Sequence, residues 1–387
     1  MHLLVVNAGS SSLRYSLLRT AGSEPIAQEP IVKEPAKEPT VHETIAHETI
    51  ETHGEVDAAC REMLEQLRRF PAPDATGHRV VHGGPSLVAP ARIDANVIAE
   101  IEAASRYAPL HNPINLEAIE ACRKTWPDAT HVAVFDTAFH ATLPERARHY
   151  ALPEHVVARH ELRRFGFHGI SHEQLLLDAA AFLERPAARL NLITLHLGNG
   201  ASATAIRNGR SIDTSMGMTP AEGLVMGTRS GDVDPGLLAY LARAEDLDGD
   251  ALDELVNRRG GLLGLCGESD MRKVRSLALA GDGAAQRAIE VYIYRIRKYI
   301  GAFQAALGRV DAMVFSGGVG ENHPWLVQEV CANLSGIRIE PPATKNLPLP
   351  VNLATNDSEI DILVIAADET RSITRQVLAL LGRDQHE

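Results

Sequence analysis

One pattern occurs twice in this chain and constrains its fold more than any other feature. The chain opens with LLVVNAGSSSLRYSL, and NLITLHLGNGASATAI follows at an offset of 191 − 2 = 189 residues. In each string a short apolar strand ends in a polar residue and a turn of glycine and small residues, after which a second strand can return antiparallel. Because the offset is about half of the 387 residues, we predict an α/β protein with a duplicated βββαβα core.

The size and charge of the chain limit the class of protein. With 387 residues, of which 45% are hydrophobic, the chain can form two packed domains, and two domains imply a cleft. The formal net charge is 38 − 50 = −12, which argues against broad binding to nucleic acid or to an anionic membrane. We therefore expect neither as a partner.

The cysteines and the hydropathy indicate a cellular location. Cys60, Cys122, Cys266 and Cys331 are scattered and form no CxxC pair, which favours reduced thiols over disulfides or zinc. No charged region followed by a long apolar stretch stands at the N-terminus and no run of 18 apolar residues occurs, so we expect neither export nor a membrane span. We expect a soluble cytoplasmic protein.

Strand and helix patterns continue along the chain. The Glu/Pro and His/Glu/Thr repeats at 24–55 predict a solvated low-complexity surface segment. The other expected elements are a first strand over 2–6, its antiparallel partner over 12–18, a helix from Val56, strands within 77–84 and 129–139, a hairpin turning at Asn208-Gly209, a helix over about 284–307, strands beginning DAMVF and DILVI, and a C-terminal helix.

Four stretches end an apolar strand in glycines and small residues. They are NAGSSS, GHRVVHGG, HLGNGAS and GGVGEN. Such turns expose consecutive backbone N–H groups that can bind phosphate oxygens, although each alone could be an ordinary tight turn. None matches GxxxxGK[ST] or GxGxxG, so we expect a nucleotide to be held between domains.

The segments GHRVVHGG, FGFHGISH and MGTRSGDVDP carry charged residues that fit phosphoryl transfer, which gathers several negative charges and needs cations and hydrogen-bond donors. Arg79, His168 and Arg229 are the candidates, although a loop arginine alone also fits a solvated surface charge and His168 fits a hydrogen-bonded core histidine. Asn7, Asp136 and Glu369 each follow an apolar strand and offer the oxygen ligands that magnesium prefers.

A series of motifs resembles the acetate kinase family. In chain order they are NAGSSSL, GHRVVHGG, APLHNP, VFDTAFH, FGFHGISH, HLGNGAS, DTSMGMTPAEGLVMGTRSGDVDP, SDMR and GGVGEN. The resemblance implies two duplicated ribonuclease-H-like (βββαβαβα) domains with an active-site cleft between them, as in sugar kinases, actin and chaperone ATPases. It implies an acyl-substrate and metal domain over 1–137 plus 371–387, an ATP-binding domain over 138–370, and a homodimer.

The resemblance also implies roles for individual residues. Catalytic roles fall to Arg79, Asp136, His168 and Arg229, and metal binding to Asn7 and Glu369. The implied acyl-substrate residues are Arg79, Val81, Leu110, His111, Phe167 and Pro220. The implied ATP-site residues are Ser10, Ser12, His196, Leu197, Gly198, Asn199, Gly200, Asp270, Met271, Arg272, Gly318, Val319, Gly320, Glu321 and Asn322.

The activity implied by this resemblance is reversible, Mg²⁺-dependent transfer of a phosphoryl group from ATP to acetate, giving ADP and acetyl phosphate, with Mn²⁺ as a substitute metal. The carboxylate acceptor is already ionised at neutral pH, its pKa being near ~4 to 5, so the reaction needs no general base. Propionate or butyrate as the acceptor is one alternative. An actin-like or chaperone-like ATPase is the alternative from another class.

Overall fold

The computed structural model describes residues 1–9, 12–20, 42–52, 55–340 and 348–383. These residues divide into two units, the first comprising Met1–Ala141, Phe167–Gln174 and Asp368–Glu387, and the second Thr142–Gly166 and Leu175–Ala367. The units divide the chain at positions other than the expected 137/138 and 370/371. Residues 167–174, which include His168, belong to the first unit.

Strands and helices alternate through both units. The strands within the described residues are β1 His2–Ala8, β2 Ser12–Thr20, β3 His42–Glu51, β4 Ala75–Val80, β5 Ala91–Arg92, β6 Thr130–Phe135, β7 Asn191–Leu197, β8 Ala201–Arg207, β9 Arg210–Thr214, β10 Ala312–Ser316, β11 Val351–Asn352 and β12 Asp361–Val364. The α-helices are α1 Val56–Leu67, α2 Ala95–Ala104, α3 Asn112–Thr125, α4 Glu145–Arg148, α5 Glu154–His160, α6 Gly169–Phe182, α7 Pro235–Ala244, α8 Gly249–Asn257, α9 Gly261–Cys266, α10 Met271–Leu279, α11 Gly283–Leu307, α12 Gly317–Asn322, α13 Pro324–Cys331 and α14 Glu369–Arg383.

The two sheets have the same topology. The first runs β3-β2-β1-β4-β6-β5 and the second β9-β8-β7-β10-β12-β11. In each sheet the first three strands of this order pair antiparallel. The next two strands lie parallel to the third, β1 or β7, and a two-residue antiparallel strand forms the edge. The predicted duplication in an α/β fold is confirmed.

Helices cover the two faces of the first sheet. On one face Leu4, Val6 and Leu13 pack with α1 and α3 side chains such as Met63. On the other, Ile373 and Val377 of α14 pack with Leu3, Val5 and Val132. Gly77 of β4 makes this second contact close, since a Cβ there would lie 2.8 Å from a methyl carbon of each of the two α14 residues.

Two local predictions for the second unit are confirmed. Asn208 and Gly209 connect β8 to β9 with φ values of 50° and 75°, as a two-residue hairpin turn requires. The long helix is α11, whose first N–H groups are capped by the Asp282 side chain accepting from the Ala285 N–H. Its buried stripe includes Ile296, Ile300 and Phe303.

The prediction of a solvated low-complexity segment at 24–55 is wrong for residues 42–51. These form β3, an edge strand that pairs antiparallel with β2. Ile50 is buried and Ile45 and Ala46 pack partly against the core, whereas the glutamates stay largely exposed. Residues 24–41 and 53–54 of that segment lie outside the described residues.

The cysteines are free thiols in the structure, as expected. Cys60, Cys122, Cys266 and Cys331 are all free, and all but Cys266 are buried. Among the helices in the described ranges, none is both long and apolar enough to span a bilayer.

Candidate functional site

Three neighbouring parallel strands of the first unit end in polar side chains. Asn7 lies near the end of β1, Arg79 near the end of β4, and Asp136 directly after β6. The carboxyl ends of parallel strands meet at one edge of a sheet, where ligands of α/β proteins bind. Glu369, the first residue of α14, joins these three side chains.

Arg79 is the centre of this group. Its Nη1 donates to Asn7 Oδ1 at 3.2 Å, and its Nη2 donates to Asp136 Oδ2. Asn7 Nδ2 donates to Glu369 Oε2 at 2.8 Å, and that oxygen lies 3.9 Å from Arg79 Nε. The arginine is thus oriented by two carboxylates and an amide, with only 16% of its side chain exposed.

Arg79 stabilises the ionised form of Asp136, whereas the negative charge of Glu369 opposes it. Burial raises the pKa of Asp136 above its ordinary value, Arg79 opposes that rise, and Glu369 adds to it. Burial alone would lower the pKa of Arg79, but attraction from Asp136 and Glu369 holds it above the ordinary value. Arg79 therefore stays a cation, and a further positive charge here would relieve the repulsion between the carboxylates.

Two buried polar atoms of the group lack hydrogen-bond partners among the described residues. They are Asp136 Oδ1 and Arg79 Nε. Within the same residues, no group of three or more His, Cys, Asp or Glu side chains is placed to hold a metal ion. Mg²⁺ commonly binds one or two carboxylates together with phosphate oxygens and water, so these oxygen donors fit an ion shared with a phosphorylated ligand.

His168 lies beside Asp136 in the first unit. It adopts a left-handed backbone conformation, with φ of 57°, directly before α6. The N–H of the next residue, Gly169, donates to the Asp136 backbone carbonyl at 2.7 Å. A Cβ on Gly169 would lie 2.3 Å from that oxygen, so only glycine permits this approach. The Gly169 hydrogen bond places the backbone next to His168 against the Asp136 carbonyl.

The other residues assigned to the acyl substrate are divided between the units. Val81 and Phe167 are buried in the first unit, where Val81 N–H donates to Asn115 Oδ1 at 3.0 Å. Leu110 is exposed before α3, and His111 occupies the N-cap position of that helix. Pro220 belongs to the second unit.

In the second unit Arg229 lies close to Pro220. Its Nη1 is 3.5 Å from the Pro220 carbonyl oxygen and 3.8 Å from Met226 Sδ. The structure thus brings together these two residues of the predicted site.

The loop that carries Pro220 is fixed by residues that the sequence analysis missed. Arg164 Nη1 donates to the carbonyls of Thr214, Ser215 and Met216 at 3.0 to 3.2 Å. Its Nη2 binds Glu222, which also accepts from the Tyr150 hydroxyl at 2.6 Å. The only signal available in the sequence was the presence of Glu222 within the longest family motif.

The residues assigned to ATP in the second unit lie at one turn and at the starts of two helices. Residues 198–200 join β7 to β8, with Gly198 N–H donating to the Gly200 carbonyl at 2.9 Å. His196 and Leu197 end β7, and Gly318–Asn322 lie within α12 after β10. A Cβ on Gly318 would meet no described atom within 4 Å, so this backbone is open to a ligand.

The remaining ATP-site residues differ in their surroundings. Asp270 caps α10 by accepting from Arg272 N–H and also binds the exposed Arg272 guanidinium, while Met271 is buried. Ser12 begins β2 in the first unit, and its carbonyl accepts from Gly9 N–H at 2.8 Å. Ser10 lies outside the described residues.

Comparisons with known proteins identify the family of the chain. The model of the acetokinase family matches residues 2–375. An acetate kinase of Clavibacter sepedonicus is 46% identical over 393 residues, covering 98% of this chain and 99% of that protein.

Solved structures give the same result. The crystal structure of Porphyromonas gingivalis acetate kinase has a TM-score of 0.84 at 36% identity, with 98% of this chain and 99% of that one covered. A propionate kinase from Francisella tularensis has a TM-score of 0.83 at 35% identity, with 97% and 98% covered. With its strand-end arginine group and a family match across nearly its whole length, this chain belongs to the acetokinase family.

Proposed function

We propose that the protein transfers the γ-phosphoryl group of ATP to acetate, reversibly, giving acetyl phosphate and ADP. The observation that carries the proposal is the buried Arg79, which Asp136 and Asn7 orient at the carboxyl ends of adjacent parallel strands. Membership of the acetokinase family and the names of the similar proteins support acetate as the acceptor.

The chemistry requires neutralisation more than proton transfer. An acetate oxygen attacks the γ-phosphorus in line as the bond to the β,γ-bridging oxygen breaks, and ADP leaves with the electron pair. Because acetate is already an anion at neutral pH, no base has to remove a proton. We assign Arg79 to the acetate carboxylate, Arg229 and His168 to the transferring group, and Asp136 to orienting Arg79.

Mg²⁺, or Mn²⁺ in its place, fits the oxygen donors near Arg79. Asn7 and Glu369 would hold the ion, and the orphaned Asp136 Oδ1 adds a further buried acceptor. When bound, the ion supplies positive charge to the phosphate oxygens. Among the protein's own groups, Glu369 is already oriented by the amide of Asn7.

We assign ATP to the glycine turns of the second unit. The residues concerned are His196 to Gly200, Asp270 to Arg272, and Gly318 to Asn322, and the family resemblance adds Ser10 and Ser12. The open space in front of Gly318 supports this assignment, because a backbone without a Cβ can approach phosphate oxygens closely.

The acyl group is assigned to Val81, Leu110, Phe167 and Pro220, all of them apolar. An apolar pocket separates substrates that differ by one methylene by only ~1 to 3 kcal/mol. Propionate is therefore the second candidate, and one of the similar structures is a propionate kinase.

A hydroxylamine assay tests the proposal. The protein is incubated with ATP, Mg²⁺, hydroxylamine and formate, acetate, propionate or butyrate in turn, and acyl hydroxamate is measured. We expect the highest kcat/KM with acetate and no product without the metal. Preference for propionate would reassign the acceptor. ATP hydrolysis that no acid changes would instead indicate an ATPase.

We also infer a homodimer in the cytoplasm, where the ATP pool lies. No residue of α7 is buried within the described chain, and its apolar side chains Leu237 and Tyr240 are 45% and 60% exposed. Such an apolar helix face suits a second copy of the chain. Light scattering after gel filtration should give twice the mass of 41.9 kDa, and Tyr240→Glu should shift it toward the monomer.

A further inference from the structure

Asn115 connects the ends of two strands of the first sheet. It lies on α3 and is only 2% exposed. Its Oδ1 accepts from the Val81 N–H at 3.0 Å, and its Nδ2 donates to the Ala8 carbonyl at 2.8 Å. Ala8 ends β1, and Val81 directly follows β4. One side-chain amide therefore spans the two strands that carry Asn7 and Arg79.

The backbone pairing between these two strands stops before it reaches the site residues. The parallel ladder of β1 and β4 ends at the pair of Val6 with His78, one residue before Asn7 and Arg79. In the second sheet, the equivalent ladder of β7 and β10 runs one pair further along. Asn7 and Arg79 thus lie beyond their ladder, where the amide of Asn115 joins the two strands instead.

The helix that carries Asn115 packs across both strands. Ala118 of α3 packs with Val6 of β1, and Ile119 packs with Val80 of β4. Asn115 comes three and four residues before these two side chains, on the same face of the helix. A buried amide is tolerated in such an apolar stripe where it is hydrogen-bonded, and here both its oxygen and its nitrogen are used.

A second asparagine holds the segment after β4 against the same helix. Asn112 of α3 is fully buried, accepts from the His82 N–H at 3.1 Å and donates to the His82 carbonyl at 3.0 Å. The segment after β4 is thus bound to α3 at two successive residues, Val81 and His82. Asn115 extends this attachment to the end of β1.

We propose that Asn115 is a positioning residue, whose amide holds the ends of β1 and β4 at the separation at which Asn7 Oδ1 and Arg79 Nη1 lie 3.2 Å apart. Without the amide, the two strand ends can move apart and misplace the Arg79 guanidinium. The inference rests on the proposed function for its effect on acetate, since that function assigns Arg79 to the acetate carboxylate. Its geometric part concerns the first unit alone.

A purely structural role for Asn115 would give different kinetics. If the amide only stabilised the fold, its loss would reduce the fraction of folded protein, which lowers the apparent kcat and leaves the KM for acetate unchanged. A positioning residue instead changes the folded molecule itself. Misplacement of Arg79 weakens its contact with the substrate, so the KM for acetate rises.

The first measurement is the steady-state kinetics of Asn115→Ala and Asn115→Ser, with the folded fraction followed by circular dichroism. The smaller side chains leave room for water, which can satisfy the Val81 N–H and the Ala8 carbonyl without fixing their separation. We expect the KM for acetate to rise about tenfold in both variants, as for other groups that orient a ligand-binding side chain.

Asn352→Ala is the matched control. Asn352 of β11 also uses its side-chain amide to hold backbone groups, because its Oδ1 accepts from the Ile362 N–H at 3.1 Å and from the Ala354 N–H at 3.0 Å. It is assigned to no ligand. We expect this variant to keep the wild-type KM for acetate.

The second measurement is the crystal structure of Asn115→Ala, which requires no turnover. We expect Asn7 Oδ1 and Arg79 Nη1 to lie beyond hydrogen-bond distance, with the ladder of β1 and β4 intact. A wild-type KM for acetate in both Asn115 variants, or an unchanged contact between Asn7 and Arg79, would overturn the inference. Absence of acyl hydroxamate with the wild-type protein would count against the proposed function, and the crystal structure then decides the role of Asn115 by itself.

Discussion

Two of the three strand ends compared in the first sheet carry charged side chains, where the second sheet carries small residues. The strand registers align Val6 and His78 of the first sheet with Leu195 and Phe315 of the second. Extending the register of β6 by one residue and that of β12 by three completes the comparison. Asn7, Arg79 and Asp136 then correspond to His196, Ser316 and Ala367.

Under the proposed function, this difference lets one sheet topology serve two kinds of ligand. In the first sheet, the carboxylates of Asp136 and Glu369 lie beside Arg79, which we assign to the acetate carboxylate. At the equivalent place in the second, the strand enters the glycines of α12, and Gly318 presents bare backbone. Backbone N–H groups suit phosphate oxygens, whereas a guanidinium suits a carboxylate.

Arg79→Ala should have the largest effect. Loss of one charge-stabilising donor costs on the order of 3 to 4 kcal/mol, so kcat with acetate should fall at least about a hundredfold. Steady-state kinetics with ATP and acetate measure this. Ser316→Ala, at the equivalent position of the second sheet, is the control and should stay near wild type. Near-normal turnover in Arg79→Ala would remove the basis of the comparison.

Gly77→Ala tests how closely α14 packs on β4. The equivalent residue of the second sheet is Val314, not a glycine. The new methyl would lie 2.8 Å from methyl carbons of Ile373 and Val377. Overpacking of this kind lowers the free energy of unfolding by about 1 to 3 kcal/mol. Urea denaturation measures it. Gly249→Ala is the control, because nothing lies within 4 Å of its added Cβ. Equal stability of the two variants would contradict the packing.

His78, whose equivalent is Phe315, should make the first sheet sensitive to acid. Burial lowers the pKa of His78 to about 3, helped by the neighbouring His131 and Arg123. The unfolded chain, with a histidine pKa near ~6.5, takes up a proton that the folded chain does not. Stability is therefore full above about pH 6.5 and is lost as the pH falls toward 3.

The expected loss through this one group is about 1.4 kcal/mol between pH 7.5 and 5.5. His78→Phe should flatten the dependence of the unfolding free energy on pH over this range, as urea titrations at each pH would show. His155→Asn, which changes an exposed histidine, should leave the slope as in wild type. An unchanged slope in His78→Phe would refute the assignment.

The smallest expected effect comes from Val81, whose equivalent is Gly318. Val81→Ala should enlarge the acyl side and raise the propionate to acetate ratio of kcat/KM about fivefold, or about 1 kcal/mol. Gly318→Val should instead raise the KM for ATP and leave the ratio unchanged. If both variants shift the same parameter, the two turns do not divide the substrates as proposed.

The sequence alone predicted the two duplicated sheets and part of the candidate site. Alternating and apolar strings predicted the duplicated sheets, and Asn208-Gly209 predicted its hairpin, because these signals are local. The contact of Asn7 with Glu369, 362 residues apart, was suggested only by the family motifs. The uses of Arg164 and Asn115 could not be predicted, since both bind backbone groups, which carry no sequence signal. The repetitive sequence of β3 gave no strand signal, and this strand depends on its pairing with β2.

The packing of α14 on β1, β4 and β6 affects how the chain is made. β1 is translated well before α14, so the apolar face of Leu3, Val5 and Val132 lacks its cover until α14 has been made. At ~5 to 20 residues per second, translation from Ala141 to Asp368 takes roughly 10 to 45 s. This apolar face of the nascent first unit must be shielded from aggregation for that time.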